Sequence, residues 1–118
     1  MKIQITVGDT VLTAVPEENS SAKALIALLQ KGPITVQMSD YAGMEKVGSL
    51  GTNLPRNDTQ ISVDAGDVIL YQGNQITIYY GTNSWNFTKL AVIEDATKES
   101  LLKVLGSGDV DVTFSIAE

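Results

Sequence analysis

The sequence predicts a mainly β domain, a small barrel or sandwich of short strands with two short helices. Three observations carry this. Apolar and polar residues alternate in a series of short runs, glycine-bearing turns separate those runs at close intervals, and two segments follow helical spacing between a capping residue and a glycine.

The elements follow in order. Residues 2–7 place Ile3, Ile5 and Val7 on one face and Lys2, Gln4 and Thr6 on the other, and residues 10–15 again favour β structure. Gly8-Asp9 between them reads as a two-residue hairpin turn, because glycine accepts the positive φ such turns require. Pro16 ends the second strand, and Asn19 or Ser20 offers a side-chain oxygen to cap a helix from about Ser21 to Lys31. Ala22, Leu25, Ile26 and Leu29 form its apolar stripe, and Gly32-Pro33 stops it. A strand follows from Ile34 to Ser39. From Asp40 to Gln60 the pattern is irregular, with Gly43, Gly48, Gly51 and Pro55 interrupting an apolar stretch around Val47 to Leu50. Strand periodicity returns at Ile61–Asp64, Val68–Tyr71, Gln75–Tyr80 and Trp85–Leu90. A second helix, about Lys98 to Leu105, is announced by Asp95 or Thr97, carries Leu101, Leu102 and Leu105 inward, and ends at Gly106; the last strand is Val110–Ile116. No repeat or linker divides the chain, so one domain is expected over residues 1–118.

Composition excludes several chemistries. With neither cysteine nor histidine, the chain has no disulfide, no thiolate nucleophile, no histidine base and no imidazole or thiolate ligand for a transition metal. A formal charge of −6 with scattered lysines repels a phosphate backbone, so nucleic acid is not an expected partner. The N-terminus alternates instead of presenting a continuous apolar run, and the expectation is a cytoplasmic protein with no membrane partner. Gly106-Ser107-Gly108 is too short for a phosphate loop or dinucleotide fingerprint, and no calcium-loop or G-x-S-x-G pattern is present, so no cofactor and no metal is expected.

Three stretches then point to a family: Met38-Ser39-Asp40-Tyr41 with Glu45-Lys46, then Asp64-Ala65-Gly66-Asp67-Val68-Ile69-Leu70-Tyr71, then Ile76-Thr77-Ile78-Tyr79-Tyr80-Gly81. In this order and spacing they resemble the small bacterial cyclophilin-like proteins, and nearly the whole chain fits. The resemblance implies a closed eight-stranded cyclophilin-like barrel with a helix at each end. Two positions depart from the family pattern: Ala42-Gly43 stands where a double glycine is common, and Leu90-Ala91 where Leu-Gly is common. An alanine in either place is harmless at negative φ and destabilising at positive φ. Authentic cyclophilins place an arginine on a barrel strand beside aromatic, glutamine and histidine neighbours. Here the only arginine, Arg56, follows Pro55 in the irregular segment, so ordinary peptidyl-prolyl isomerase activity is not expected.

The candidate ligand-binding residues are Met38, Glu45, Arg56, Tyr71, Tyr79 and Trp85. Tyrosine and tryptophan combine contact area with a polar handle, although for any single one of them core packing is the favoured reading, since aromatics are heavily used in ordinary strands. Alternation within Gln75–Tyr80 sets Ile76, Ile78 and Tyr80 on one face and Gln75, Thr77 and Tyr79 on the other. Asp40, Tyr41, Glu45 and Lys46 surround a glycine-bearing turn, and together with Arg56 they form either one edge of a pocket or a solvated turn. Asp64 with Asp67, and Asp109 with Asp111, read as turn acceptors and a solvated strand face. The leading expectation is a binding domain for a small organic ligand or a short peptide. The alternatives are an isomerase or lyase using a carboxylate or tyrosine, and a structural domain acting through self-association.

Overall fold

A computed structural model describes residues 1–117. It contains β1 (Lys2–Val7), β2 (Thr10–Pro16), α1 (Ser20–Gln30), β3 (Ile34–Tyr41), β4 (Glu45–Ser49), β5 (Thr59–Val63), β6 (Asp67–Tyr71), β7 (Gln75–Tyr79), β8 (Asn83–Ile93), α2 (Lys98–Leu105) and β9 (Val110–Ala117). Neighbours run β2-β1-β9-β3-β4-β7-β6-β8, and β8 returns to β2 through Ala14↔Ile93, Val15↔Val92 and Pro16↔Ala91. The ring is thus a closed eight-stranded antiparallel barrel. β5 stands outside it, paired only with the first half of β8, from Thr59↔Phe87 to Val63↔Asn83.

The ring has eight strands, but they are not the eight read from periodicity. β4 lies within the segment read as irregular, and β5, counted as a barrel strand, is the extra one. Gly48 shows why β4 was hidden. A Cβ at this mid-strand glycine would lie 2.5 Å from both the Gln37 carbonyl oxygen and Val36 Cγ1, so β3 approaches closer than any side chain permits.

Both helices begin at residues whose side chains satisfy the free N–H groups of the first turn. Asn19 Oδ1 accepts from the Ala22 N–H at 2.8 Å, and Thr97 and Ser100 cap reciprocally at 3.1 and 2.9 Å. α1 joins the end of β2 to the start of β3, and α2 joins the end of β8 to the start of β9. Since β2 and β8 are antiparallel neighbours, the helices close opposite ends of the barrel. Leu25 and Leu29 from α1 and Leu101 and Leu105 from α2 enter the same core as Ile5, Met38, Leu70, Ile78 and Phe114, whereas Leu102, expected inward, is exposed on the outer side of α2. No helix among the described residues is long and apolar enough to cross a membrane.

The α2 end also holds a polar lock. Lys46, fully buried, places Nζ 2.8 Å from Asp40 Oδ1 and donates to the Gly108 carbonyl. The Tyr80 hydroxyl donates to Asp40 Oδ1 at 3.0 Å, and the Gly108 N–H donates to Asp40 Oδ2 at 2.8 Å. Four partners thereby tie β3, β4, the residue that follows β7 and the loop before β9, and the buried ammonium is matched by the Asp40 carboxylate and the Gly108 carbonyl.

Candidate functional site

Strand alternation assigns the outer wall of the β4–β7–β6 sheet. With Ile76, Ile78 and Tyr80 inside, Gln75, Thr77 and Tyr79 face outward, and Glu45, paired across from Tyr79, joins them with Val47. On this wall a second apolar cluster forms from Val63, Ile69, Tyr79 and Phe87, with Met44, Ile61 and Tyr71 against it. β5 and the first half of β8 are therefore a two-stranded ribbon laid over the outside of the barrel. Phe87 anchors it, its ring centroid 6.1 Å from that of Tyr71 and 6.0 Å from that of Tyr79, in tilted to edge-on geometry.

The ribbon covers the wall incompletely and leaves a cleft of about 360 Å³. Tyr41 and Met44 from the β3–β4 hairpin bound one side, Glu45 and Val47 come from β4, Tyr71 from β6, Gln75 and Thr77 from β7, and Asn83, Trp85 and Phe87 from the ribbon. The hairpin is held by the Met44 carbonyl, which accepts from the N–H groups of Tyr80 and Gly81 at 3.0 and 2.9 Å. Tyr41 and Trp85 are each 60% exposed, an unusual state for such large rings, and they stand at the cleft's edge.

Glu45 is the single charged residue lining the cleft, and only 7% of it is exposed. Burial pushes its carboxyl up to about 7, the hydrogen bond from Tyr79 opposing that rise only in part. Tyr79 is itself pushed up to about 12, first by burial and further by the neighbouring carboxylate, and its hydroxyl accepts from Asn83 Nδ2 at 3.3 Å. A carboxyl that titrates near neutrality therefore sits in a mostly apolar recess beside a neutral phenol, equipped to hold or release a proton or to bind a cation.

Of the six candidates read from sequence, Glu45, Tyr71 and Trp85 line the cleft, and Tyr79 lies beneath it, 1% exposed. Met38 is not there. It shares the inward face of β3 with Val36 and is wholly within the core. Arg56 is not there either. It sits in the segment between β4 and β5, where Nε donates to Asp58 Oδ2 at 2.9 Å. That segment is irregular but well tied: Leu50 and Leu54 are buried, their N–H groups donate to Asn74 and Gly73, and Asp58 accepts from Thr88 Oγ1 at 2.7 Å. Met44, Val47, Gln75, Thr77 and Asn83 were not singled out by sequence reasoning. The available signal was the face shared with Tyr79 in Gln75–Tyr80; for Met44 and Val47 it was lost with β4.

The two alanine departures separate cleanly. Ala42 has φ 54 and Gly43 φ 65, the two positive values of a primed hairpin turn, so the alanine is strained. Ala91 is a buried β8 residue outside the left-handed region and takes its place without strain.

Fold and cleft together define a closed antiparallel barrel with a ligand-sized recess on its outer wall. Residues 5–115 match the Cyclophilin-like family, and the chain belongs to it. No curated protein matches the chain.

Proposed function

We propose that this domain binds a small organic ligand, or one side chain of a short peptide, in the cleft between the barrel wall and the β5–β8 ribbon. The observation that carries the reading is the recess of about 360 Å³ with two largely exposed aromatic rings at its edge and a buried carboxyl within it. Its size and mostly apolar lining, with a few convergent polar groups, are those of small-molecule sites. The reading does not extend to prolyl isomerisation, because Arg56, the chain's only arginine, is paired with Asp58 and is not among the residues lining the cleft.

The test is a thermal-shift screen of neutral, anionic and cationic metabolites and proline-containing peptides, followed by titration of Trp85 fluorescence. Trp85 is the chain's only tryptophan and lines the cleft, so its emission reports occupancy directly. A ligand at about a hundred times its dissociation constant adds roughly 2.7 kcal/mol of stability. A dose-dependent shift from one chemical class, abolished in Trp85→Ala, is the expected result; a flat screen counts against the reading.

One observation favours a second reading. A carboxyl pushed up to about 7 beside Tyr79 suits an acid–base step in an isomerase or lyase. Turnover with a pH midpoint near that value, lost in Glu45→Gln, supports it, whereas binding without turnover across the panel returns the assignment to a binding domain.

A further inference from the structure

The chemistry of the cleft is one-sided. Among the residues lining it there is one carboxylate and no lysine or arginine, and the remaining polar groups are the neutral Gln75, Thr77 and Asn83. The lysine next in sequence, Lys46, is turned to the other face of β4 and consumed by Asp40 and Gly108, so it cannot neutralise Glu45 from within the site. Aromatic rings from three separate elements surround the same space: Tyr41 on β3, Tyr71 on β6 and Trp85 on β8. Such rings attract a positive group through their negative faces and are indifferent or repulsive to an anion. A buried carboxylate needs a partner when ionised, and among the described residues no cationic side chain lines the cleft to supply one.

Building on the reading of the cleft as a ligand site, we infer that its occupant is a small organic cation, with an ammonium group paired to Glu45 and its alkyl substituents among Tyr41, Tyr71 and Trp85. A tetra-alkylammonium head brings little hydration to lose, fills space among rings, and completes the unmatched charge. Glu45 is the one carboxyl among the described residues lining the cleft, and the two tyrosines that interact with it, Tyr79 and Tyr80, are both pushed up to about 12. The titration of Glu45 alone therefore governs cation affinity in this range. Binding a permanent cation requires the ionised carboxyl, so protons are released on binding and affinity rises with pH. With Glu45 titrating at about 7, affinity at pH 8.5 is about tenfold higher than at pH 6.

The experiment uses three isosteres: choline, its uncharged counterpart 3,3-dimethylbutan-1-ol, and the anion 3,3-dimethylbutanoate. Each is titrated by calorimetry at pH 6 and 8.5 into wild type, Glu45→Gln and Trp85→Ala, and by Trp85 fluorescence into the first two. A blocked tripeptide with a central trimethyllysine forms a separate arm; tighter binding of that arm than of choline assigns the cation to a peptide side chain, and the reverse assigns it to a free metabolite. The expected result is preference for the cation, about tenfold tightening with pH, and loss of roughly ten- to a hundredfold in Glu45→Gln together with loss of the pH dependence. Equal affinity for the alcohol and choline, or preference for the anion, overturns the cation assignment while leaving the cleft as a ligand site. No binding by any probe at any pH overturns the cation assignment, and a flat result in the broader metabolite screen is what removes the cleft reading itself.

Discussion

Glu45→Gln provides the sharpest physical test of the site, because it has a stability consequence independent of any ligand. In the folded chain the carboxyl is pushed from its ordinary 4.5 to about 7 by burial. A raised carboxyl pKa means the native state holds its proton more tightly than the unfolded chain, so the stabilisation is full below about 4.5 and is lost as pH rises through 7. At about 1.4 kcal/mol per pH unit, full ionisation costs the fold about 3 kcal/mol, of which under 1 is already expressed at pH 5. The cleft is open to water, which trims the remainder to roughly 2 kcal/mol between pH 5 and 8.5. Glutamine keeps the shape and removes the ionisation.

The variant is therefore expected to gain about 2 kcal/mol over wild type at pH 8.5 compared with pH 5. Urea unfolding at the two pH values, followed by circular dichroism, measures the difference of differences. The groups that titrate at lower pH, Asp40 and Asp58, are common to both proteins and cancel. A stability difference that is the same at both pH values refutes the argument, since it means Glu45 is as well solvated in the folded chain as in the unfolded one.

Further expectations follow from the same geometry. Gly48→Ala forces a Cβ into the Gln37 carbonyl and is expected to destabilise the barrel by about 3 kcal/mol or more, read by urea denaturation. Ala42→Gly relieves the positive φ in the turn between Tyr41 and Met44 and is expected to stabilise by about 1 kcal/mol, visible as a rise in Tm. Lys46→Met takes the ammonium from Asp40, which keeps the Tyr80 and Gly108 donors and contact with water, and from the Gly108 carbonyl, with an expected loss of about 1–2 kcal/mol of which a cycle with Asp40→Asn recovers part. Asp40 is held below its ordinary 3.8 first by Lys46 and then by the Gly108 N–H, so its contribution is present above that value and lost as pH falls through the lowered one; wild type should show an acid limb of unfolding that Asp40→Asn reduces.

What the sequence disclosed, and what it hid, divides along physical lines. Hairpins, caps and helix stops are local chemistry, so Gly8-Asp9, Asn19, Thr97 and Gly106 located their elements within a residue or two. β4 was hidden because its glycine answers to a neighbouring strand, and a glycine placed for close approach looks the same in sequence as one placed for a turn. Alternation alone placed Tyr79 and Tyr80 on opposite faces, as the structure has them. The same rule puts Met38 inward with Val36, and it was the motif around Met38, rather than its periodicity, that made it a site candidate. Arg56 was a candidate for its two-pronged donor in a long irregular segment, and neither feature reveals that the next acidic residue, Asp58, already occupies it. The ribbon was illegible, since pairing of β5 with only half of β8 leaves no trace in the periodicity of either.

Three dipeptides show how fold and cleft depend on one register. Asp40-Tyr41, Glu45-Lys46 and Tyr79-Tyr80 each send one side chain to either face of the wall. Asp40, Lys46 and Tyr80 meet at the α2 end and lock the barrel, while Tyr41, Glu45 and Tyr79 build the cleft and its floor. The pairs are cross-matched, Asp40↔Lys46 and Tyr41↔Glu45 on one side of β4 and Glu45↔Tyr79 on the other. A slip of β4 by one residue would put the ammonium in the cleft and the carboxylate against Asp40, two like charges in place of a matched pair. The lock therefore does more than stabilise. By rejecting the alternative register, it keeps the Glu45 carboxylate facing the cleft.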